Sequence, residues 1–522
     1  MQIQAGIIGA PEPWRSVLRQ EGLAAAPVHG APDPHVHAIV VTGGVLEGTA
    51  LAGVRTYLND GGAVLTSTAN LSHLAGLRVE TRRIRTVYPH HDPEFPGLDP
   101  VDLDLRLPTP VAGNILRTAD NIRTGFLGKV GNGFLIALPF DVKDVFLDDR
   151  STTRSFYSPA ARRPFETVST VSKGSARALI ARSLELLVHR RELPYAHVWY
   201  YPDGAPSVFA FRIDTDFGTA AQIDALAETL RRAGVRATWF VDVGSQRAHL
   251  ERYAAMDRDE IGIHCSAHVR PVEASAVAQD IAEARRVLQQ AGIEPVGYAA
   301  PYGTWNAAVA SAVNTSGLAY SSEFSYDYDD LPSRPQGPTG SGVLQIPVHP
   351  ICIGSMKRHG YGLQEMRAYV DRVREGKLRR REPLVFYHHP RDGNEAVLEQ
   401  LFERIFTAGI PHLTLAEMAS WWNDRDAVVG RVIADRGSIT VQGSGQNPRI
   451  RVRVSMPDGR ETLVPFGTTI VPSSEKWSVS EPAVIPADIT RARRFNYRIP
   501  LVRGLDRTIG ALQNRVRKKG KH

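Results

Sequence analysis

Between residues 207 and 424 short apolar runs alternate with stretches whose apolar positions recur every three or four residues. SVFAFRI precedes AAQIDALAETLRRAG, RATWFV follows, EIGIHC precedes VEASAVAQDIAEARRVLQQAG, and VGYAAP precedes TWNAAVASAVNTSG. Two short strand candidates, AYSSEF and VLQIPV, lead to the helical GLQEMRAYVDRVREG, the strand PLVFYHH, another helix and the short strand HLTL. Such alternation predicts parallel strands joined by helices. In a barrel built this way the functional residues come from the C-terminal ends of several strands.

The flanking regions carry different patterns. Up to residue 200 the runs AGIIG, HAIVVTG, GAVLTST and GNGFLIALPF read as strands, and VLEGTALAGVRTYLNDGG as a helix with a glycine stop, which predicts an open, doubly wound α/β domain of flavodoxin-like type. The apolar spacing of SARALIARSLELLVHRR marks a packing helix that connects this domain to the central region. From 425 to 490 RVIADRGSITVQGSG and RIRVRVSMPDGRETLVPF alternate apolar and polar residues around Gly and Asp-Gly turns, the pattern of a small antiparallel β-domain. The expected divisions are therefore 1–200, 201–424, 425–490 and a tail, 491–522.

Charge changes the picture only at that tail. The chain of 522 residues carries a net +7, but residues 491–522 hold eleven Lys/Arg against the single acid Asp506, leaving the rest of the chain at −3. A nucleic-acid-binding face on the folded domains is not expected. In the tail Leu501, Leu505, Ile509 and Leu512 recur at helical spacing before the basic run, a pattern compatible with a solvated terminus or with peripheral contact to an anionic membrane. No apolar run reaches the ~18 residues of a membrane span. The N-terminus lacks the basic start and apolar core of a secretory signal, so a cytoplasmic location, peripheral to the inner membrane at most, is expected. Cys265 and Cys352 are too few for a disulfide framework, and Cys265 reads as a packing residue.

The candidate chemistry sits at the strand ends. SVFAFRIDTDFG ends in Asp214 and Asp216, and alternation places Arg212, Asp214 and Asp216 on one face. EIGIHCSAH runs into His264 and His268, and PLVFYHHP into His388 and His389, with the turn YAAPYG between them. A mixed carboxylate and imidazole set suits zinc and its first-row neighbours, and a catalytic site supplies three protein ligands and leaves positions open. Asp216, His264 and His268 fit that count. The segment YPHHDPEF, with His90, His91 and Asp92, reads as a loop.

These strand ends, in this order, resemble the NodB-homology polysaccharide deacetylases, carbohydrate esterase family four, over Val208 to Trp422; RATWFVDVG is similar to that family's second strand. The resemblance implies a distorted (β/α)7 barrel and a divalent metal, Zn2+ before Co2+, Ni2+ or Mn2+. It assigns Asp216, His264 and His268 as ligands, Asp214 as general base, His389 or His388 as general acid, and the Tyr302 N–H as an oxyanion donor. Upstream, VVTGG…LAGVRTYLNDGGAVLTS resembles the glutamine-amidotransferase-like class, but no cysteine precedes Cys265, so glutaminase chemistry is excluded there.

Two departures from the family pattern stand out. The arginine expected two residues before the Pro of PYG is Ala299, and Arg212 is the candidate to supply its charge to Asp214. The acid that tunes the histidine is not fixed by the pattern either; Glu323, Asp327, Asp329 and Asp330 in SSEFSYDYDD are open candidates. The implied function is metal-dependent hydrolysis of a C–N amide, foremost N-deacetylation of an N-acetylated sugar in a glycan or glycan precursor. The alternatives are hydrolysis of a formyl or cyclic amide, and a non-catalytic carbohydrate-binding or scaffold protein.

Overall fold

The alternating pattern resolves into two seven-stranded sheets in a computed structural model that describes residues 1–9, 11–156, 164–337, 340–435, 437–445, 447–473 and 477–479. The basic segment 491–522 and the end of the expected β-region lie outside the described residues.

In the N-terminal sheet Ala25–Pro27, Ala5–Ile8, Ile39–Thr42, Ala63–Ser67 and Gly133–Leu138 run parallel in that order, the 2-1-3-4-5 order of flavodoxin-like sheets. Arg123–Val130 and Ile115–Arg117 extend it antiparallel. Ile39–Thr42 and Ala63–Ser67 are buried at every position, as parallel strands covered on both faces require. The helix Gly48–Asn59 stops before Gly61, whose φ of 88° is left-handed.

The second sheet is parallel throughout, in the order Leu344–Gln345, Tyr320–Ser321, Gly297–Tyr298, Glu260–Cys265, Ala237–Asp242, Phe209–Asp214, Leu384–His388. Among the described residues no ladder joins its two edge strands; the His349 N–H donates to the Val385 carbonyl at 3.0 Å and the Tyr387 hydroxyl to the Pro350 carbonyl at 3.1 Å across the gap. The sheet therefore curls without closing. One register shift falls within it, where Val241 pairs with Ile263 and Asp242 with Cys265, leaving His264 as the extra residue. Irregularities of this kind re-aim a side chain beside active sites.

The C-terminal alternation forms Val429–Asp435, Ser438–Ser444 and Thr468–Ile470 in one antiparallel sheet, and Val452–Ser455, Arg460–Val464 and Ser478–Val479 in another. The second also takes in Tyr195–Val198, through pairs such as Tyr195 with Ser455. Val432, Ile439, Val454 and Ile470 share a core with Ile3, Ala5 and Leu18, and the Ile3 N–H donates to the Val432 carbonyl at 2.7 Å. The helix Lys173–Arg190 fastens this half to the curled sheet: Arg177 reaches Glu21 at 2.9 Å and Asp330 at 2.5 Å, and Lys173 donates to the Tyr326 carbonyl at 3.1 Å. No helix among the described residues is long and apolar enough to cross a membrane.

Candidate active site

The strand Phe209–Asp214 is buried along its whole length and delivers two carboxylates to its C-terminal end. Arg212, on the same face as Asp214, is fully buried and grips it with both arms of its fork, Nε to Oδ1 and Nη2 to Oδ2, each at 2.7 Å. Its third nitrogen donates to the Ser322 carbonyl, and the rings of Phe240 and Tyr387 flank the guanidinium at 5.1 and 5.6 Å. Burial opposes the guanidinium charge, but Asp214 more than offsets it and the pKa is raised. Where the family pattern places an arginine this chain has Ala299, and the charge beside Asp214 comes from Arg212.

Asp216, His264 and His268 bring their ligand atoms within 4.8 Å of one another. The Nδ1–H of His264 donates to the Ala299 carbonyl at 2.7 Å, which leaves the Nε2 lone pair facing Asp216 Oδ1 at 3.0 Å. Neither of these two buried atoms has a hydrogen-bond partner among the described residues. His268 Nε2 faces the other oxygen, Oδ2, at 3.3 Å. Acceptors this close repel unless positive charge lies between them. A proton on His264 is one solution, and although burial works against it Asp216 does raise the His264 pKa. Burial would likewise raise the Asp216 pKa, but the surrounding imidazoles hold it far below the usual carboxylate range. A proton on His264 answers one of these contacts only, whereas one divalent cation answers the carboxylate and both neutral imidazoles at once. Tetrahedral ligands ~2.0–2.2 Å from zinc stand ~3.3 Å apart, so the donor set and its spacing fit such an ion.

The two adjacent histidines separate cleanly. His388, the last residue of its strand, turns into the core and stacks on Phe211 at 6.4 Å; neither ring nitrogen has a partner among the described residues, and burial pushes its pKa down to about 4. His389 turns the other way. Its Nε2 lies 3.8 Å from Asp216 Oδ2 and its Nδ1 3.0 Å from Asp392 Oδ2. Burial would depress the His389 pKa, but Asp392 and the Cys352 thiol lift it well above the ordinary value. Asp392 in turn is held at about 2, its own burial being outweighed by His389. Cys352, His389 and Asp392 form a second set whose ligand atoms lie within 4.8 Å of one another.

Several supporting residues escaped the sequence pattern. Asp392 lies three residues beyond His389, and its contact depends on the tight turn at Pro390–Asp392. Asp280, on the helix Ala274–Gln290, receives the Ser266 hydroxyl at 2.6 Å and the Ala267 N–H at 2.8 Å, fixing the segment that carries His268. The acids of SSEFSYDYDD lie elsewhere. Glu323 receives the Ala300 N–H at 3.1 Å and Gln345 Nε2 at 2.8 Å, Asp329 takes Lys377 at 2.8 Å, Asp330 takes Arg177, and Asp327 lies by Lys173. The residue hydrogen-bonded to His389 is Asp392 instead.

Tyr302, in the PYG turn, has a left-handed φ of 62°, and its ring meets His268 edge-on at 4.8 Å. Gly303 follows at φ 57°, where a side chain would also collide with the Phe324 ring, so only glycine completes this turn. Cys265 is buried, and burial lifts its thiol pKa far up.

Solved structures resemble part of the chain. A "probable polysaccharide deacetylase" from Pseudomonas aeruginosa PAO1 shares 16% identity at a TM-score of 0.36, covering 42% of this chain and 91% of that one. An allantoinase shares 16% at 0.38 over 43% and 92%, and a CE4 family pseudoenzyme from Bacillus anthracis 14% at 0.31 over 41% and 65%. No curated protein matches the chain. Residues 212–321, which hold Arg212, Asp214, Asp216, His264, His268 and the PYG turn, match the family model of the polysaccharide deacetylases.

Proposed function

We propose that this protein is a metal-dependent amide hydrolase that removes the N-acetyl group from a sugar. The observation that carries the reading is the opposed pair of partnerless acceptors, His264 Nε2 and Asp216 Oδ1, 3.0 Å apart and buried. Asp216, His264 and His268 would hold the cation. Bound there, a divalent ion would supply Lewis acidity to the amide carbonyl and make water a usable nucleophile near neutral pH.

The chain's own groups do the rest. Asp214, each oxygen of which keeps a second lone pair beyond its bond to Arg212, takes the proton of the attacking water. Arg212 holds that carboxylate in one orientation and balances its charge. His389, kept protonated by Asp392, gives its proton to the departing amine nitrogen; His388, neutral and turned into the core, does not take part. The Tyr302 N–H is the candidate donor to the developing oxyanion.

The rival reading, a barrel that holds metal without turning over, leans on Ala299. The fork of Arg212 on Asp214 argues against it. Acetate release from N-acetylated oligosaccharides decides between them: release by the wild type, falling by about 10²–10⁴-fold in Asp214→Asn at unchanged metal content, is the expected result. A metal-loaded wild type that releases no acetate would sink the catalytic reading.

A further inference from the structure

Large apolar side chains are exposed beside this site. Phe217 is 57% exposed and Tyr302 49%, while Val269 and Val272, in the segment after His268, are 63% and 71% exposed. Both aromatic residues hold left-handed backbones, φ 54° at Phe217 and 62° at Tyr302, which bulky residues rarely adopt and which collect at ligand-binding sites. Both rings rest edge-on against the same ligand imidazole, His268, with centroids 5.5 and 4.8 Å away. A guanidinium covers each ring: Arg391 lies 5.7 Å from the Phe217 centroid and Arg270 5.3 Å from that of Tyr302. Both arginines are exposed, and neither makes an ion pair among the described residues. The acid next to Arg391 in sequence, Asp392, is turned inward onto His389 Nδ1 and the Gly354 N–H.

We propose that Phe217 with Arg391 and Tyr302 with Arg270 form two arms of a recognition rim for an acidic N-acylated sugar, one bearing a carboxylate or phosphate close to the scissile amide. The inference rests on the hydrolase reading of the metal cluster. The ring surface left uncovered offers a platform for the C–H face of a sugar ring, and the guanidinium on the ring is placed to fork onto a carboxylate or phosphate. Because both rings touch His268, a sugar stacked on either one sits next to the metal ligands. A neutral glycan would use the platforms and leave both cations unmatched.

The test compares acetate release by the metal-loaded full chain from chitotetraose, a hyaluronan tetrasaccharide and N-acetylglucosamine 1-phosphate. The expected kcat/KM is about tenfold or more higher for an acidic probe than for the neutral one, the loss expected when a charged contact has no partner. The carboxylate and phosphate probes separate the two sources of charge. In Arg270→Gln/Arg391→Gln that ratio collapses towards one, mainly through KM, and in the wild type it shrinks as ionic strength rises, a readout needing no variant. Equal or better turnover of chitotetraose, or a preference that survives both the double substitution and high salt, overturns the inference. Calorimetric binding of the acidic probes to metal-loaded Asp214→Asn keeps the two readings apart. Arginine-dependent binding without acetate release from the wild type would leave the rim standing and the hydrolase reading broken. Absence of such binding would overturn the rim.

Discussion

Two of the buried charged clusters among the described residues are built on opposite rules. At the junction of the two halves Arg177 meets Glu21 and Asp330; Glu21 also takes the Tyr200 hydroxyl and Asp330 takes Gln20 Nε2 at 3.1 Å. Each charge there is answered by another side chain. At the end of the strand Phe209–Asp214, by contrast, His264 Nε2 and Asp216 Oδ1 face each other with no described residue between them. The first cluster is complete in itself and holds the structure together. On the proposed reading, the second is completed by a bound cation. Burial and charge alone do not distinguish a site from a joint; the unanswered lone pairs do.

Removing one member breaks the joint and the site in different currencies. Arg177→Ala strands Glu21 and Asp330 in the interior and should cost about 3–5 kcal/mol of unfolding free energy, read by urea denaturation, while metal content per folded molecule stays at the wild-type level. Loss of metal without loss of stability would erase the distinction between joint and site.

A smaller effect tests His389 as the proposed proton donor. Because Asp392 raises the His389 pKa against burial, the acid form persists to higher pH, and activity falls only as pH rises through the elevated value. Asp392→Asn removes the carboxylate charge, so the alkaline limb of kcat/KM should move to lower pH and the neutral-pH rate drop by about tenfold, the size expected for a group that orients a functional histidine. An unmoved limb would assign the proton transfer elsewhere.

The smallest effect belongs to His388. Its two ring nitrogens bond to nothing among the described residues and its pKa is depressed to about 4, so His388→Leu exchanges a neutral buried ring for an apolar side chain. Turnover should stay within about twofold and stability within about 1 kcal/mol of wild type. A large loss of turnover would exchange the roles of the two histidines.

Local pattern carried much of this organisation. Parallel strands buried on both faces leave continuous apolar runs, so SVFAFRI, EIGIHC and PLVFYHH were readable, and with them the acids and imidazoles at their ends. What stayed hidden depends on partners distant in sequence or on the conformation of a turn. The pairing of Tyr195–Val198 with Val452–Ser455 joins segments with no mark of each other. Asp330 read as a candidate for tuning a histidine because its partner, Arg177, stands far upstream on the helix Lys173–Arg190. Asp392 needed the bend at Pro390, and the choice between His388 and His389 needed the direction in which the chain leaves the sheet.

The central claim, that Asp216, His264 and His268 together hold one divalent cation, is tested most directly by elemental analysis of purified protein after incubation with zinc and dialysis. One equivalent per wild-type chain, lost in His264→Ala at unchanged secondary structure, is the predicted result. A wild type that retains no zinc, cobalt, nickel or manganese, or a His264→Ala variant that retains it in full, would contradict the account.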